Sequence, residues 1–225
     1  MRVGIVGSGR IGGNAGTQLA RAGHEVMFSS RHPDSLEELT SAAPSAISGR
    51  PEEAAAFGDA VILAVPWSVV DEAVAQLGPL EGKVIVDTTN QYGAGGIETL
   101  PEGRTAVEVN ARRMPGARLA KAFNTLTSSY QRDVAEGRVD GDVAMFFAAE
   151  DEAAAGVASE LVAACGFVPV RIGGWEQVGI MEAPRRDGAV YGESYRPDDA
   201  RRIAAAAAED LDEASRLATA LKLEA

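Results

Sequence analysis

Three glycines, Gly7, Gly9 and Gly12, stand in the pattern GxGxxG directly after a short apolar run, Val3 to Val6. This spacing has a mechanical reading. The first glycine permits a tight turn, the second lets a pyrophosphate approach the backbone, and the third lets a following helix pack closely on the strand. The free N–H groups of the helix's first turn then face the anion. About 20 residues after such glycines, a site for NAD places an Asp or Glu that accepts hydrogen bonds from the ribose hydroxyls. Here that place holds Ser29-Ser30-Arg31. A carboxylate would repel a phosphate on the ribose, whereas a guanidinium bonds it in forked geometry and serine hydroxyls can donate as well. The residues point to NADP, the bland alternative being that Arg31 is a surface arginine beside the next helix.

The glycines can act this way only on a strand, turn and helix, and the neighbouring residues supply them. Ile11, Ala15, Leu19 and Ala22 follow a helical period, and Gly23 leads to a second strand, Glu25 to Ser29. The spacing then predicts a helix over 34–42 ended by Pro44, a short strand over 45–48, and a helix opening at Pro51. Ala60 to Val65 is a nearly continuous apolar strand, the kind buried on both faces of a parallel sheet. WSVVDEAVAQL reads as helix, KVIVDTTN as strand and loop, and QYGAGGIETLPEG as irregular. TAVEVNARRM is helical, RLAKAFNTL and DVAMFFAAE carry strands, and EDEAAAGVASELVAAC is an Ala-rich helix before the strand in GFVPVRI. The alternation predicts a doubly wound α/β fold with a mostly parallel sheet over residues 1–174. A small helical appendage follows over 175–225. Its first part has no period, and Asp198 to Leu223 reads as one helix of about seven turns. The Ala-rich stripe of that helix would pack on the domain or join two copies in a homodimer.

Ligands of open α/β sheets bind outside the carboxyl ends of the strands, so the residues just past each strand are the candidates. Val65-Pro66-Trp67 would wall a nicotinamide, with Pro66 fixing the turn and Trp67 either stacking on a second ring or packing at a helix start. Asn90 and Asn124 can donate and accept, which suits an amide or a ring edge; turn formation is the alternative. Lys121 is the one well-placed general-acid candidate, against the reading of a surface lysine. No cluster of Cys and His suggests a metal, and the histidines are His24 and His32 alone. Tyr92, Tyr130, Tyr191 and Tyr195 have no lysine four residues on, so a Tyr-x-x-x-Lys site is absent. Cys165, within LVAACGFVPV, reads as a buried inert thiol.

Among 225 residues, 46% are hydrophobic and 24% charged, as in an ordinary globular protein. The 33 acidic against 21 basic residues give a net charge of −12, which repels nucleic acid and anionic membranes. An anionic cofactor must then be held locally, and Arg112-Arg113 and Arg185-Arg186 stand out, although solvated surface is the simpler reading. No signal peptide or membrane span is recognisable, which makes the cytoplasm the expected compartment.

Together MRVGIVGSGRIGG, AGHEVMFSSR, AVPW, VIVDTTN, LAKAFNTL and DVAMFFAAEDEAA resemble the NADP oxidoreductase family dependent on coenzyme F420, over roughly residues 1–180. The resemblance implies a Rossmann domain with a small C-terminal portion, usually dimeric, passing hydride between NADPH and the deazaflavin. It further implies that Ser8, Gly9, Arg10 and Ile11 hold the pyrophosphate, Ser30 and Arg31 the 2′-phosphate, and that Val65-Pro66-Trp67 and Asn124-Thr125 wall the paired rings. No catalytic side chain is implied, because two cofactors held face to face need little acid–base help. The stretch GGWEQVGIMEAPRRDGAVYGESYRPDDA departs from the family's pattern. This leaves two alternatives: NADPH-dependent reduction of an imine, enone or carbonyl, with Tyr191, Glu193 or Tyr195 in the pocket, or a redox sensor that binds NADPH without turnover.

Overall fold

A computed structural model describes residues 1–223; the last two residues of the appendage expected over 175–225 lie outside the described residues. The chain opens as β1 (Arg2–Val6), α1 (Arg10–Arg21), β2 (Glu25–Ser29), α2 (Glu37–Ala42), β3 (Ile47–Gly49), α3 (Pro51–Phe57), β4 (Ala60–Leu63), α4 (Val70–Val74) and β5 (Val84–Asp87). It continues through β6 (Tyr92–Gly93), β7 (Gly96–Ile97), α5 (Ala106–Arg113), β8 (Arg118–Lys121), α6 (Ser128–Ala135), β9 (Ala144–Ala149), α7 (Glu152–Ala164) and β10 (Val168–Gly173). The end is α8 (Trp175–Val178), α9 (Pro197–Ala207) and α10 (Leu211–Leu221). Eight strands form one sheet in the order β10-β9-β8-β5-β4-β1-β2-β3, and β6 and β7 form a separate hairpin.

This is the expected doubly wound sheet. Successive strand side chains point to opposite faces, so an apolar run feeds two cores at once. Val61 and Leu63 enter one core while Ala60 and Ile62 enter the other. The core built around α1 and α7 contains Leu19, Phe28, Leu161 and Val162. The opposite core is closed by α4, α5 and the C-terminal helices, through Val70, Val107, Ile203 and Ala218.

Parallel pairing fails at one place. β8 and β9 run antiparallel, with Ala120 opposite Ala149 and Lys121 opposite Ala148. The chain leaves β8 at its carboxyl edge, passes through the eight-residue α6, and enters β9 from that same edge. β10 returns parallel to β9. The stretch that follows lies at the carboxyl edge of the parallel strands β1–β5 and β8, and the Tyr195 carbonyl accepts from the Ala144 N–H at the start of β9.

The tail also departs from expectation. The single helix expected over 198–223 is two, because Asp210 stops α9 and caps α10, its carboxylate accepting the N–H groups of Asp212 and Glu213. The two halves fold against each other, and the alanine stripe turns inward: Ala200, Ile203, Ala207, Ala214 and Ala218 are all buried within the chain. Tyr195 anchors the pair from below. Its hydroxyl donates to the Ala218 carbonyl at 3.0 Å and its ring meets Phe146 edge-on, 5.6 Å between centroids.

Candidate functional site

The glycine turn has the geometry its spacing suggested. Gly7 has φ +97°, and a Cβ there would lie 2.5 Å from the Ala64 carbonyl oxygen. A Cβ on Gly12 would lie 2.1 Å from the Gly7 carbonyl oxygen, so only glycine lets α1 sit this close to β1. Gly9 is different: nothing lies within 4 Å of where its Cβ would be. The open space above Gly9 is room for a ligand, not for the protein's own packing. The first turn of α1 has no side-chain cap and no acidic residue, which leaves its N–H groups facing that space. These residues fit a pyrophosphate.

Ser8 and the end of β2 are stitched together. The Ser8 hydroxyl donates to the Ser29 carbonyl at 3.0 Å and accepts from the Ser29 N–H at 3.1 Å, while the Ser29 hydroxyl turns inward to the Ile5 carbonyl at 2.8 Å. Ser30 and Arg31 remain at the surface. They border a cavity of about 270 Å³ whose other walls include Pro51, Val65, Val69 and Glu72. Arg31 is 71% exposed and its Nη1 lies 3.2 Å from Oε1 of Glu72.

A second cavity, of about 490 Å³, runs from Gly9, Arg10 and Ile11 to Trp67, Asn124 and Tyr191. Val65 and Pro66 line both cavities, so the two adjoin at these residues along a cleft at the carboxyl edge of the sheet. Trp67 is 4% exposed, and its Nε1 donates to Oε2 of Glu98 at 2.9 Å. The Arg113 guanidinium covers its ring at 4.5 Å and pairs with Asp71 at 2.8 Å, so the Arg112-Arg113 pair divides into a solvated residue and a packed one. Trp67 is thus both a helix-start packing residue and part of the cleft wall.

The two asparagines engage each other. Nδ2 of Asn90 donates to the Asn124 carbonyl at 3.1 Å, and Nδ2 of Asn124 donates to Oδ1 of Asn90 at 3.2 Å and to the Met181 carbonyl at 2.6 Å. The Ala183 N–H donates to Oδ1 of Asn90, and Gln91 donates to the Ala183 carbonyl. Oδ1 of Asn124 is buried and has no hydrogen-bond partner among the described residues. Thr125 does not line the cleft; its carbonyl accepts from Gly192 at 2.8 Å. Phe123, which does line it, has φ +59°, a conformation rare for a bulky residue, and is steadied by Gln131 donating to the Phe123 and Leu126 carbonyls.

Lys121 is neither at the surface nor in the cleft. It is fully buried, and its Nζ meets Oδ2 of Asp87 at 3.0 Å, the Thr89 carbonyl, and Oε1 of Glu182 at 3.4 Å. Asp87 also accepts from Nδ2 of Asn110 and from the Thr89 N–H. Glu182 accepts the N–H groups of Ala106 and Val107 at the start of α5, at 2.6 and 2.9 Å. One cation thus faces two carboxylates, and the second is compensated by a helix N-terminus. Sequence reasoning missed Asp87, Asn110 and Glu182; the only signal was a carboxylate ending the VIVD strand.

The 179–195 stretch, tied down by these contacts, brings Tyr191 to the mouth of the cleft. Its hydroxyl lies 3.1 Å from that of Tyr92, and burial, with the Tyr92 hydrogen bond, pushes the phenol well above its ordinary range. Arg185 pairs with Glu193 at 2.6 Å, and Arg186 donates to the Glu182, Pro184 and Gly179 carbonyls. Burial raises the Cys165 thiol to about 12, which keeps it protonated at neutral pH. Among the described residues no group of three His, Cys, Asp or Glu could hold a metal. No helix among them is long and apolar enough to cross a membrane.

Fold and cleft together define a Rossmann-type dinucleotide-binding protein. Residues 2–91 match the family described as NADP oxidoreductase, coenzyme F420-dependent. A hypothetical protein from Sinorhizobium meliloti has a similar structure, with TM-score 0.71 and 28% identity, covering 83% of this chain and 91% of that one. A proposed F420-dependent NADP reductase from Arthrobacter sp. FB24 is similar at TM-score 0.66 and 27% identity, covering 77% of this chain and 85% of that one. A reductive aminase from Aspergillus terreus, solved with NADPH, shares the fold at TM-score 0.57 and 18% identity, over 77% of this chain and 55% of that one. The metalloreductase STEAP3 of Rattus norvegicus is 26% identical over 182 residues, 81% of this chain. The chain spans 36% of that relative's length.

Proposed function

We propose that this chain exchanges a hydride between NADPH and the deazaflavin coenzyme F420. The observation that carries the reading is that two cavities adjoin at Val65 and Pro66, one lined by Gly7, Ser8, Ser30 and Arg31 and the other by Gly9, Arg10 and Ile11 of the same glycine turn. A dinucleotide laid over Gly9 reaches Ser30 and Arg31 at one end and the wall of Ile11, Pro66 and Trp67 at the other. Bound NADPH supplies the hydride. Gly9 and the first turn of α1 hold the pyrophosphate, and Arg31 with Ser30 holds the 2′-phosphate. Asn124 borders the larger cavity together with Trp67 and Tyr191. Among the described residues Arg10 is the only charged side chain on the larger cavity, and no carboxylate, imidazole or ammonium of theirs borders it. Such a cleft orients rings and excludes water; it does not shuttle protons through a dedicated base.

A second reading is favoured by one feature, the Tyr92 and Tyr191 hydroxyls at the mouth. A phenol is a donor that suits the reduction of an imine, enone or carbonyl, where the hydride acceptor also gains a proton. Absorbance of oxidised F420 in the presence of NADPH separates the readings. Bleaching at a rate proportional to enzyme is expected; NADPH binding without bleaching, but with turnover of a cyclic imine, would select the second. NADPH binding with no turnover of either would make the chain a sensor. The proposal includes the cytoplasm and a homodimer formed through the outer face of the tail helices near the exposed Leu211. Light scattering that gives a monomer removes the dimer.

A further inference from the structure

Arg31 reaches across the smaller cavity to a carboxylate. Glu72 lies in the first turn of α4, on the far side of Val65 and Pro66, and both side chains line the 270 Å³ cavity with Ser30 and Gln76. The Nη1 to Oε1 distance is 3.2 Å, with the side chains 71% and 56% exposed. Neither side chain is buried against the core. Gln76, just past the end of α4, donates to the Glu72 carbonyl at 3.0 Å.

We propose that Glu72 is a specificity-determining residue: it competes with the 2′-phosphate of NADPH for Arg31 and thereby holds down the preference for NADPH over NADH. This rests on the NADPH reading above. A phosphate that bonds Arg31 must displace the Glu72 carboxylate, and it then stands well inside the roughly 8 Å screening length of physiological salt from that like charge. An exposed ion pair is broken at little cost, so Glu72 does not block the phosphate; it weakens its hold. With NADH the same carboxylate has a favourable task. It can accept from the free ribose hydroxyls, the task that an Asp or Glu at the end of the second strand performs in sites for NAD. The cavity thus carries a phosphate ligand on one wall and a hydroxyl ligand on the other. They come from elements about 40 residues apart, so the SSRH stretch alone overstates the selectivity.

Isothermal titration of NADPH and NADH into the intact wild-type protein, Glu72→Gln, Arg31→Ala and the double variant tests this. Glu72→Gln keeps the shape and removes the charge. NADPH should bind it about 3- to 10-fold more tightly than wild type, with the gain shrinking as salt is raised, while NADH binds equally or more weakly. In the Arg31→Ala background the gain should be smaller, because the competition is gone. An unchanged NADPH affinity in Glu72→Gln, or equal shifts for both cofactors, overturns the proposal while leaving the NADPH reading intact. Arg31→Ala that weakens NADPH and NADH equally would instead remove the phosphate reading and this proposal with it. Thermal melting of each variant without cofactor should match wild type, which separates a binding effect from a folding one.

Discussion

The two ends of the cleft are built on opposite plans. At the dinucleotide end, residues close in sequence leave their functional groups facing outward: uncapped N–H groups on α1, empty space over Gly9, and an exposed Arg31. At the other end, residues from distant parts of the chain turn their polar groups inward. Asp87, Asn110, Lys121 and Glu182 form one buried network, and Asn90, Gln91 and Asn124 hold the Met181 to Ala183 stretch. The lesson is that the same residue types have different meanings according to whether solvent or protein meets them. A lysine and two asparagines at strand ends looked like ligand groups; most of their hydrogen bonds go to the protein's own backbone.

The contrast can be broken most forcefully at Lys121. Lys121→Met should leave Asp87 and Glu182 buried together without their cation and cost about 3–5 kcal/mol, read as a lower urea midpoint. Adding Glu182→Gln should recover part of that loss. A loss below about 1 kcal/mol would mean that the inner end of the cleft does not depend on the network.

A pair of glycine variants sharpens the other side. Gly12→Ala forces a Cβ against the Gly7 carbonyl and should cost on the order of 1–3 kcal/mol of stability. Gly9→Ala meets nothing in the protein and should melt like wild type, yet bind NADPH roughly tenfold more weakly, about 1.4 kcal/mol. If both variants lose stability alike, Gly9 is structural and the open space over it is not a ligand cradle.

Tyr195→Phe removes a single buried hydrogen bond to Ala218 and should cost about 1 kcal/mol, with cofactor affinity unchanged. A change in turnover without a change in stability would instead put Tyr195 in the reaction.

The smallest effect near neutrality belongs to Cys165. Its folded thiol titrates at about 12, above the ordinary 9.0, so folding favours the protonated form. The stability this contributes is fully present below pH 9 and is lost as pH rises towards 12. At pH 8 a disulfide reagent such as dithionitrobenzoate should release almost no chromophore from the native protein and one equivalent after denaturation. Rapid native labelling would contradict the burial.

What could be read in advance followed from short range. The glycine turn, the helix after it and the second strand lie within about 30 residues, the span of one supersecondary unit. Phe123 could not be anticipated, since nothing in AKAFNTL marks a bulky residue with positive φ. The break at Asp210 was legible in principle: Asp before a hydrophobic residue with acids in the next turn is a helix start, but the alanine run on its amino-terminal side favoured one continuous helix. Glu182 lay in an aperiodic stretch, and only folding brought the start of α5 and the Lys121 ammonium against it.

By itself the sequence determined the doubly wound sheet, the glycine turn and the placement of Ser30 and Arg31, because apolar period and glycine spacing act through local backbone geometry. The tertiary structure alone decided that Lys121 lies buried between two carboxylates, that Asn90 and Asn124 bind the C-terminal stretch, that Tyr191 stands over the cleft, and that Glu72 faces Arg31. A charged or amide side chain is defined by what surrounds it, and those surroundings come from parts of the chain that only folding brings together.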